Sequence, residues 1–442
     1  MLRSVWKTLH HLAAARVCGR ALVDDSRGVG ALCYEKVHSQ RRITHEIHFT
    51  IEAMSYASSL STSSDTITAV DSVCRKVRSG LNVDTPNLAI LFLTHAHSGG
   101  FDQAAARVQE ALGCRVLLGC AAESIAGDAE EIEGQPGVSL WAAHLPGAVL
   151  EPFQLQFRST ADGLVCDGFP EFAPAEAAEI RAVLLLGEPY SCAVDFIIEQ
   201  LQDMAPGVPL LGGMASGGHG PGQNRLFFQG AGVDHGAVGV IVRGGPQIKS
   251  IVSQGCRQIG HTFVITKADR NVILELGGKP ALERLQEIWQ EISGDDQRLV
   301  QQGLHVGIVM NEYKDSFHSG DFLVGNVLGA DQETGAIAVG NHVRTGQTIQ
   351  FHVRDARSAD EELRQMLVRE TQNKKVEAAL LFSCNGRGTR LFSQPNHDAA
   401  VIQETCGPIP LAGFFAQGEL GPVGPKNYMH GFTASVVLFE AG

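Results

Sequence analysis

Several side chains capable of binding or catalysis lie close together near the carboxyl end of the sequence. Cys384, Asn385 and Arg387 fall within the loop SCNGRG, and Gln417 and Glu419 follow in a second polar turn. The planar fork of arginine can bind a carboxylate through two hydrogen bonds. Glutamate can in turn attract an ammonium group. Together these residue types favour an amino acid-like ligand, with Arg387 at its carboxylate and Glu419 at its ammonium.

Two predicted strands position these residues. The apolar runs 378–382 and 409–415 each have the length of a buried strand, and a helical pattern lies between them. Strands joined through a helix are parallel, so both polar turns open at the same sheet edge, where ligands bind in open α/β sheets. His430 precedes the last strand; it either faces the same edge as Glu419 or is a core histidine.

Each of these residues also has a structural interpretation. Arg387 could form a salt bridge with Glu419 or Asp398, and Asn385 could cap its own turn. Cys384 could be a nucleophile, but activation needs a base or a positive field, and no histidine is adjacent in sequence. A thiol that lines a ligand site or is simply buried is the alternative. No catalytic residue is therefore assigned.

The strand-helix-strand pattern occurs three times, over residues 88–120, 182–211 and 378–415. A further strand follows each unit, at 139–143, 238–242 and 433–439. Mixed sheets, with antiparallel strands added to parallel pairs, are the expected result. We therefore predict an α/β fold of two related domains, 53–245 and 246–442, each a mixed β-sheet covered by helices.

Composition excludes several classes of protein. The 442 residues carry a net charge of −13 without a cluster of Lys and Arg, which argues against nucleic-acid binding. No apolar run approaches the roughly 20 residues of a membrane helix. The ten cysteines include no C-x-x-C pair, so neither zinc nor a redox motif is indicated.

Two further motifs contain residue types that can bind a metal or a cofactor. His95 and His97 form an H-x-H pair, but a metal site needs a third ligand. The loop GGHGPG at 217–222 leads into a predicted strand, whereas a phosphate-binding loop leads into a helix. Neither a metal nor a cofactor is expected.

The first 52 residues have a different character. Residues 1–23 carry Arg3, Lys7, Arg16 and Arg20 with no acid, and their apolar residues fall near one face of a helix. These features are typical of a transit peptide. We expect import into a mitochondrion or chloroplast, or a cytoplasmic location if this segment does not target the chain.

Long ordered motifs resemble those of the FIST family, named for F-box and intracellular signal transduction. LFLTHAHSGG, LLGCAAESIAG and PLLGGMASGG resemble the FIST N domain, and GNHVRTGQTIQFHVRDA, SCNGRG and PIPLAGFFAQGELGP resemble the FIST C domain. The resemblance implies a two-domain sensory module that binds small molecules such as amino acids. Residues 1–52 lack the helical pattern of an F-box, and no output domain is recognised after residue 439, so we expect a stand-alone organellar protein.

The resulting hypothesis is a non-enzymatic sensory protein with Cys384, Asn385, Arg387, Gln417, Glu419 and His430 at its ligand site. One alternative is a hydrolase or acyl-transfer enzyme that uses Cys384. The other is an adaptor, related to ubiquitin-ligase F-box proteins, that binds a protein partner through the surface around Arg387 and Glu419.

Overall fold

Each of the three strand-helix-strand units belongs to a different sheet in the computed structural model. The structure describes residues 53–161, 163–318, 320–372 and 374–441. The predicted transit peptide, residues 1–52, lies outside this part of the chain.

The helices lie mainly between strands that share a sheet. In chain order they are α1 (Thr66–Gly80), α2 (Phe101–Leu112), the single turn α3 (Pro174–Ala177), α4 (Val194–Met204), α5 (Ala281–Glu291), α6 (Gly294–Gln302), α7 (Ala356–Thr371) and α8 (His397–Cys406). Short 3-10 turns cover His95–Gly100 and Gly388–Arg390. Among these described helices, none is long and apolar enough to span a membrane.

The strands fall into two groups along the chain. Those of the amino-terminal half are β1 (Ser55–Ser61), β2 (Leu88–Thr94), β3 (Val116–Ala122), β4 (Ser124–Gly127), β5 (Glu130–Glu133), β6 (Val138–His144), β7 (Ala148–Thr160), β8 (Gly163–Asp167), β9 (Ile180–Gly187), β10 (Leu210–Met214), β11 (Leu226–Phe228), β12 (Ala231–Val233) and β13 (Ala237–Gly244). Those of the carboxyl-terminal half are β14 (Ile248–Ser253), β15 (Cys256–Asp269), β16 (Val272–Leu276), β17 (Lys279–Pro280), β18 (Leu304–Val309), β19 (Phe322–Asp331), β20 (Ala336–Val339), β21 (Thr348–Arg354), β22 (Val376–Cys384), β23 (Leu411–Ala416), β24 (Glu419–Val423), β25 (Lys426–His430) and β26 (Ala434–Glu440).

The three repeated units share one topology. The pairs β2 and β3, β9 and β10, and β22 and β23 are each parallel and joined through a helix. The strand that follows each unit, β6, β13 or β26, pairs antiparallel with the first strand of that unit. Continuous burial explains why the first strands read as unbroken apolar runs; all seven residues of β2 are buried.

Two hairpins cross between the halves of the chain. The β4-β5 hairpin extends the sheet β14-β26-β22-β23, where β4 pairs antiparallel with β23. The β24-β25 hairpin extends the sheet β10-β9-β13-β7-β8, where β24 pairs antiparallel with β10. Each half therefore completes a sheet of the other.

Between the sheets lies one shared hydrophobic core. Phe92 of β2 packs on Phe414 of β23 with ring centroids 5.1 Å apart, and Trp141 of β6 packs on Phe439 of β26 at the same separation. The helices cover the opposite faces; α1 and α2, for example, bury Val70, Val73 and Val108 against the sheet that contains β2. The interior of the protein is thus formed by strands from both halves.

The carboxyl-terminal half also contains a closed barrel. Its six strands follow the order β15-β21-β18-β19-β20-β16, with every neighbouring pair antiparallel and β16 returning to β15. Ile265, Val306, Ile337 and Phe351 lie in its buried core. The α/β fold with mixed sheets and two domains is confirmed, and the barrel is an element that the sequence patterns did not predict.

Candidate functional site

Arg387 lies at the centre of the predicted site and is fully buried. Its Nε and Nη2 atoms donate to the two carboxylate oxygens of Asp398 at 2.7 and 2.8 Å. Ser383 Oγ donates to the same carboxylate at 2.8 Å. Although burial alone would raise the pKa of Asp398, the Arg387 guanidinium holds it well below its usual range. The carboxylate-binding fork of Arg387 is therefore occupied by Asp398 within the protein.

Glu419 is also fully buried, at the start of β24. Its Oε2 accepts hydrogen bonds from the backbone nitrogen and the hydroxyl of Thr433 at 3.0 and 2.9 Å. Burial raises the pKa of Glu419 to about 8, against the opposing effects of Thr433, Arg387 and Cys384. Burial therefore favours the neutral carboxylic acid form of this side chain.

His430 lies opposite Glu419 in the β24-β25 hairpin. Its Nε2 donates to the backbone oxygen of Gly421 at 3.0 Å, and burial lowers its pKa to about 4. The ring is therefore a neutral histidine of the protein interior.

Cys384 and Asn385 are half-buried where β22 ends. The Cys384 nitrogen donates to the Thr433 oxygen at 2.9 Å, and the Asn385 nitrogen donates to the Ala416 oxygen at 3.0 Å. These bonds join the end of β22 to β23 and to the chain entering β26. The structure thus brings Cys384, Asn385 and Arg387 beside Glu419.

Gln417 lies apart from this group. Its side chain is exposed and lines a separate cavity of about 480 Å³, together with Cys192, Met214 and Met429. Gln417 therefore does not share a wall with the residues around Arg387.

Arg354, the last residue of β21, is a site residue that the sequence patterns did not single out. Among the described residues, its buried Nε and Nη2 atoms have no hydrogen-bond partner. Its guanidinium carbon lies 4.7 Å from the centre of the Phe432 ring, over the ring face. Gly386 makes room for this approach, because a Cβ there would lie 2.7 Å from Arg354 Nη1. A charged group without a partner at the edge of a cavity is a candidate for ligand contact.

Arg354 faces a cavity of about 460 Å³ at one end of the barrel, which we call the barrel-mouth pocket. Its walls come from α6, from strands β18, β19 and β21, and from the loops after β22 and β25. The polar side chains on these walls are those of Gln302, His305, Asn326, Arg354 and Arg390. The volume lies within the range of about 300–1,000 Å³ that is usual for small-molecule sites.

His305 is a second polar group of the pocket with an unused ring atom. Burial and then Arg354 lower its pKa to about 4, so the ring is neutral at physiological pH. Its Nδ1 atom has no partner among the described residues. The edge of the ring meets Phe432 at a centroid distance of 5.0 Å.

The other motifs form no comparable site. His95 is exposed, whereas His97 is buried with its Nδ1 3.0 Å from the Thr66 hydroxyl. The described part of the chain contains no group of three or more His, Cys, Asp and Glu residues that could hold a metal ion. The 217–222 loop leads into β11, a strand.

Family models match both halves of the chain. The FIST N domain matches residues 87–279, and the FIST C domain matches residues 281–422. The chain belongs to the FIST family. Neither match is to an F-box. FIST domains are associated with sensory signal transduction.

Similar full-length proteins occur in mycobacteria. An uncharacterized protein of Mycobacterium tuberculosis strain H37Rv is 42% identical over 383 residues, covering 86% of this chain and 98% of its own length. An uncharacterized protein of Mycobacterium bovis is 40% identical over 366 residues, covering 82% and 93%. The similarity thus extends through both FIST domains.

The SCNGRG loop was predicted as a site because ligands bind at the carboxyl ends of parallel strands in open α/β sheets. Arg354 does not follow a parallel strand, so this rule did not identify it. Arg354 also stands at a strand end, directly before Asp355, the N-cap residue of α7, but β21 is antiparallel to both of its neighbours. A charged residue between a strand and a capped helix is the signal that could have identified it.

We expect Cys384 to react slowly with iodoacetamide at pH 7. Burial, and after it the neighbouring Glu419 carboxyl group, raises the pKa of Cys384 to about 12, so little thiolate is present at pH 7. Peptide mass spectrometry should show alkylation of Cys384 at least about tenfold slower than in the same chain unfolded in urea. Rapid labelling of the folded protein would instead indicate an activated thiolate and favour the enzyme hypothesis.

Proposed function

We propose that this FIST protein is a non-enzymatic sensory protein that binds a small carboxylate-bearing ligand in the barrel-mouth pocket. In this proposal Arg354 takes the ligand-binding role that the sequence favoured for Arg387. The fork of Arg387 is occupied by Asp398, whereas the buried Nε and Nη2 donors of Arg354 have no partner among the described residues. Asn326 and His305 supply neutral polar groups at the same walls.

The observation that carries the proposal is the guanidinium of Arg354. Arginine stays charged under all physiological conditions, even though burial lowers the pKa of Arg354. Its Nε and Nη2 atoms form the edge that binds a carboxylate bidentately. Both are buried without a partner among the described residues, so a ligand reaches this edge when the side chain turns toward the pocket. Leaving such donors unpaired is costly, so a ligand that pairs with them binds favourably.

The surroundings of the pocket suit a sensor. Arg390, on the pocket wall, donates to the Asn385 oxygen at 2.8 Å and forms an ion pair with Glu123, which follows β3 in the amino-terminal half. A ligand held between Arg354 and Arg390 would therefore contact the barrel and also a loop attached to the other half. Binding would stabilise one arrangement of these parts, which is what a sensory module requires.

We expect a small carboxylate to raise the thermal stability of the full chain. A ligand at 100 times its dissociation constant adds about 2.7 kcal/mol to the free energy of unfolding. Differential scanning fluorimetry against amino acids and other small carboxylates should detect this as a rise in Tm. Replacing Arg354 with methionine should abolish the rise.

Arg369→Met provides the matched control. Arg369 lies on α7 with its side chain 69% exposed, and it is not a wall residue of the barrel-mouth pocket. This variant should keep the full ligand response. If Arg354→Met responds as strongly as Arg369→Met, the ligand binds elsewhere and the proposal is wrong.

A further inference from the structure

The charges on the walls of the barrel-mouth pocket are all of one sign. Arg354 and Arg390 contribute positive charge, and none of the described residues on the walls is Asp or Glu. Arg390 is partly neutralised by Glu123, but Arg354 forms no ion pair within the described part of the chain. The pocket therefore presents a positive field to any ligand.

The buried acids near the SCNGRG loop do not offer a counter-charge to an ammonium group. Asp398 is fully engaged by Arg387, Ser383 and His397 behind the wall. Glu419 has no exposed surface, and burial raises its pKa, which favours its neutral form. Burial also raises the pKa of Cys384, which keeps its thiol neutral. An ammonium group in the pocket would lie beside a guanidinium without a counter-charge, which is unfavourable at low dielectric.

The remaining polar groups suit a neutral partner. His305 is uncharged and offers one ring nitrogen, and Asn326 and Gln302 each offer an amide. Such groups hydrogen-bond a keto or hydroxyl oxygen without requiring charge. The ring of Phe432 supplies an apolar part of the wall for a short carbon chain.

We propose that the barrel-mouth pocket selects small organic anions without an ammonium group, namely 2-oxo or 2-hydroxy carboxylic acids, over the amino acids with the same carbon skeleton. Arg354 binds the carboxylate, and His305 and Asn326 form hydrogen bonds with the keto or hydroxyl oxygen. This inference rests on the proposed function, because it concerns the ligand class of the same pocket.

Matched pairs of ligands provide the test. Pyruvate and alanine, 2-oxoglutarate and glutamate, and malate and aspartate share a skeleton and differ at the group on carbon 2. Isothermal titration of the full chain at pH 7 should show binding of at least one oxo or hydroxy acid. The amino acid of that pair should bind at least tenfold more weakly.

Variants of Arg354 test whether the acid binds at this residue. Arg354→Met and the charge-preserving Arg354→Lys should each weaken binding of the preferred acid at least tenfold, because lysine lacks the planar fork. Arg369→Met should bind as the unaltered protein does. Circular dichroism of each variant establishes that it is folded before titration.

Three results would overturn the inference in distinguishable ways. Equal or tighter binding of the amino acid in every pair that binds refutes the ligand class while leaving the proposed function intact. Binding of inorganic phosphate as tightly as the best acid refutes recognition of the organic group. If no member of any pair binds, both the ligand class and the carboxylate-sensing function are wrong.

Discussion

Replacing Asp398 with alanine is expected to lower the free energy of unfolding by about 3–5 kcal/mol, because it leaves a buried charge without its partner. Arg387 is fully buried, and Asp398 accepts both hydrogen bonds of its fork. The substitution also removes the acceptor of Ser383 Oγ and of His397 Nδ1, at 2.8 and 3.0 Å. Urea denaturation followed by circular dichroism measures the change in midpoint and slope.

Two comparisons separate this effect from the general cost of losing an ion pair. Asp167→Ala breaks the Arg158–Asp167 pair, whose side chains are 61% and 53% exposed, and should cost less than about 1 kcal/mol. The double variant Arg387→Met with Asp398→Leu removes both charges and should be more stable than Asp398→Ala alone. A cost for Asp398→Ala no larger than that for Asp167→Ala would show that the buried pair does not stabilise the fold.

The partner of Arg387 illustrates the limit of inference from sequence. Both Glu419 and Asp398 were chemically suitable, and sequence spacing does not determine which one a side chain reaches. Asp398 lies in the first turn of α8, where the helix dipole favours a carboxylate. Glu419 instead begins a hairpin whose backbone partner is β10 of the other half. The outcome depends on long-range pairing, which local patterns do not encode.

The strand-helix-strand units were predictable because their signal is local. Their first strands are buried on both faces and therefore read as continuous apolar runs of strand length. The barrel was not predictable in the same way, since its closure depends on β15, a bent strand of 14 residues that pairs with both β16 and β21. Arg354 and His305 lie near SCNGRG because of the long-range pairing of β21 with β15 and β18.

The crossing hairpins bring a further buried acid to the site. Glu131, on β5, accepts a hydrogen bond from the Ala399 nitrogen at 2.9 Å, while its Oε2 has no partner among the described residues. Burial raises the pKa of Glu131, and the negative charge of nearby Asp398 acts in the same direction. Glu131 and Glu419 are thus two buried carboxyl groups on hairpins that join the two halves.

Because of these two acids, we expect the free energy of unfolding to fall as pH rises above neutrality. The folded protein keeps a proton on Glu419 up to about pH 8, whereas an unfolded glutamate loses it near pH 4.3. Glu131 acts in the same sense. A group whose pKa is raised by folding contributes stability that is fully present below the unfolded pKa and is lost as pH rises through the folded pKa.

The buried histidines act in the opposite direction at lower pH. Burial lowers the pKa values of His305, His352 and His430 to about 4, whereas an unfolded histidine takes up a proton near pH 6.5. Their contribution is therefore lost as pH falls from about 6.5 to 4. We expect the free energy of unfolding to be greatest near pH 6.5 and to decline on both sides.

The variant Glu131→Gln with Glu419→Gln should reduce the decline on the alkaline side. Glutamine has the shape of the protonated acid, and its oxygen can still accept the bonds from Thr433 and Ala399. A glutamate whose pKa is raised by folding lowers the free energy of unfolding progressively as pH rises from its unfolded to its folded pKa. The double variant should therefore exceed the unaltered protein by a few kcal/mol at pH 8.5, as measured by urea denaturation from pH 5 to 9. Glu130→Gln, an exposed position on the same hairpin, should follow the unaltered protein throughout. A difference between double variant and unaltered protein that stays constant across this range would mean that neither acid is protonated in the folded state.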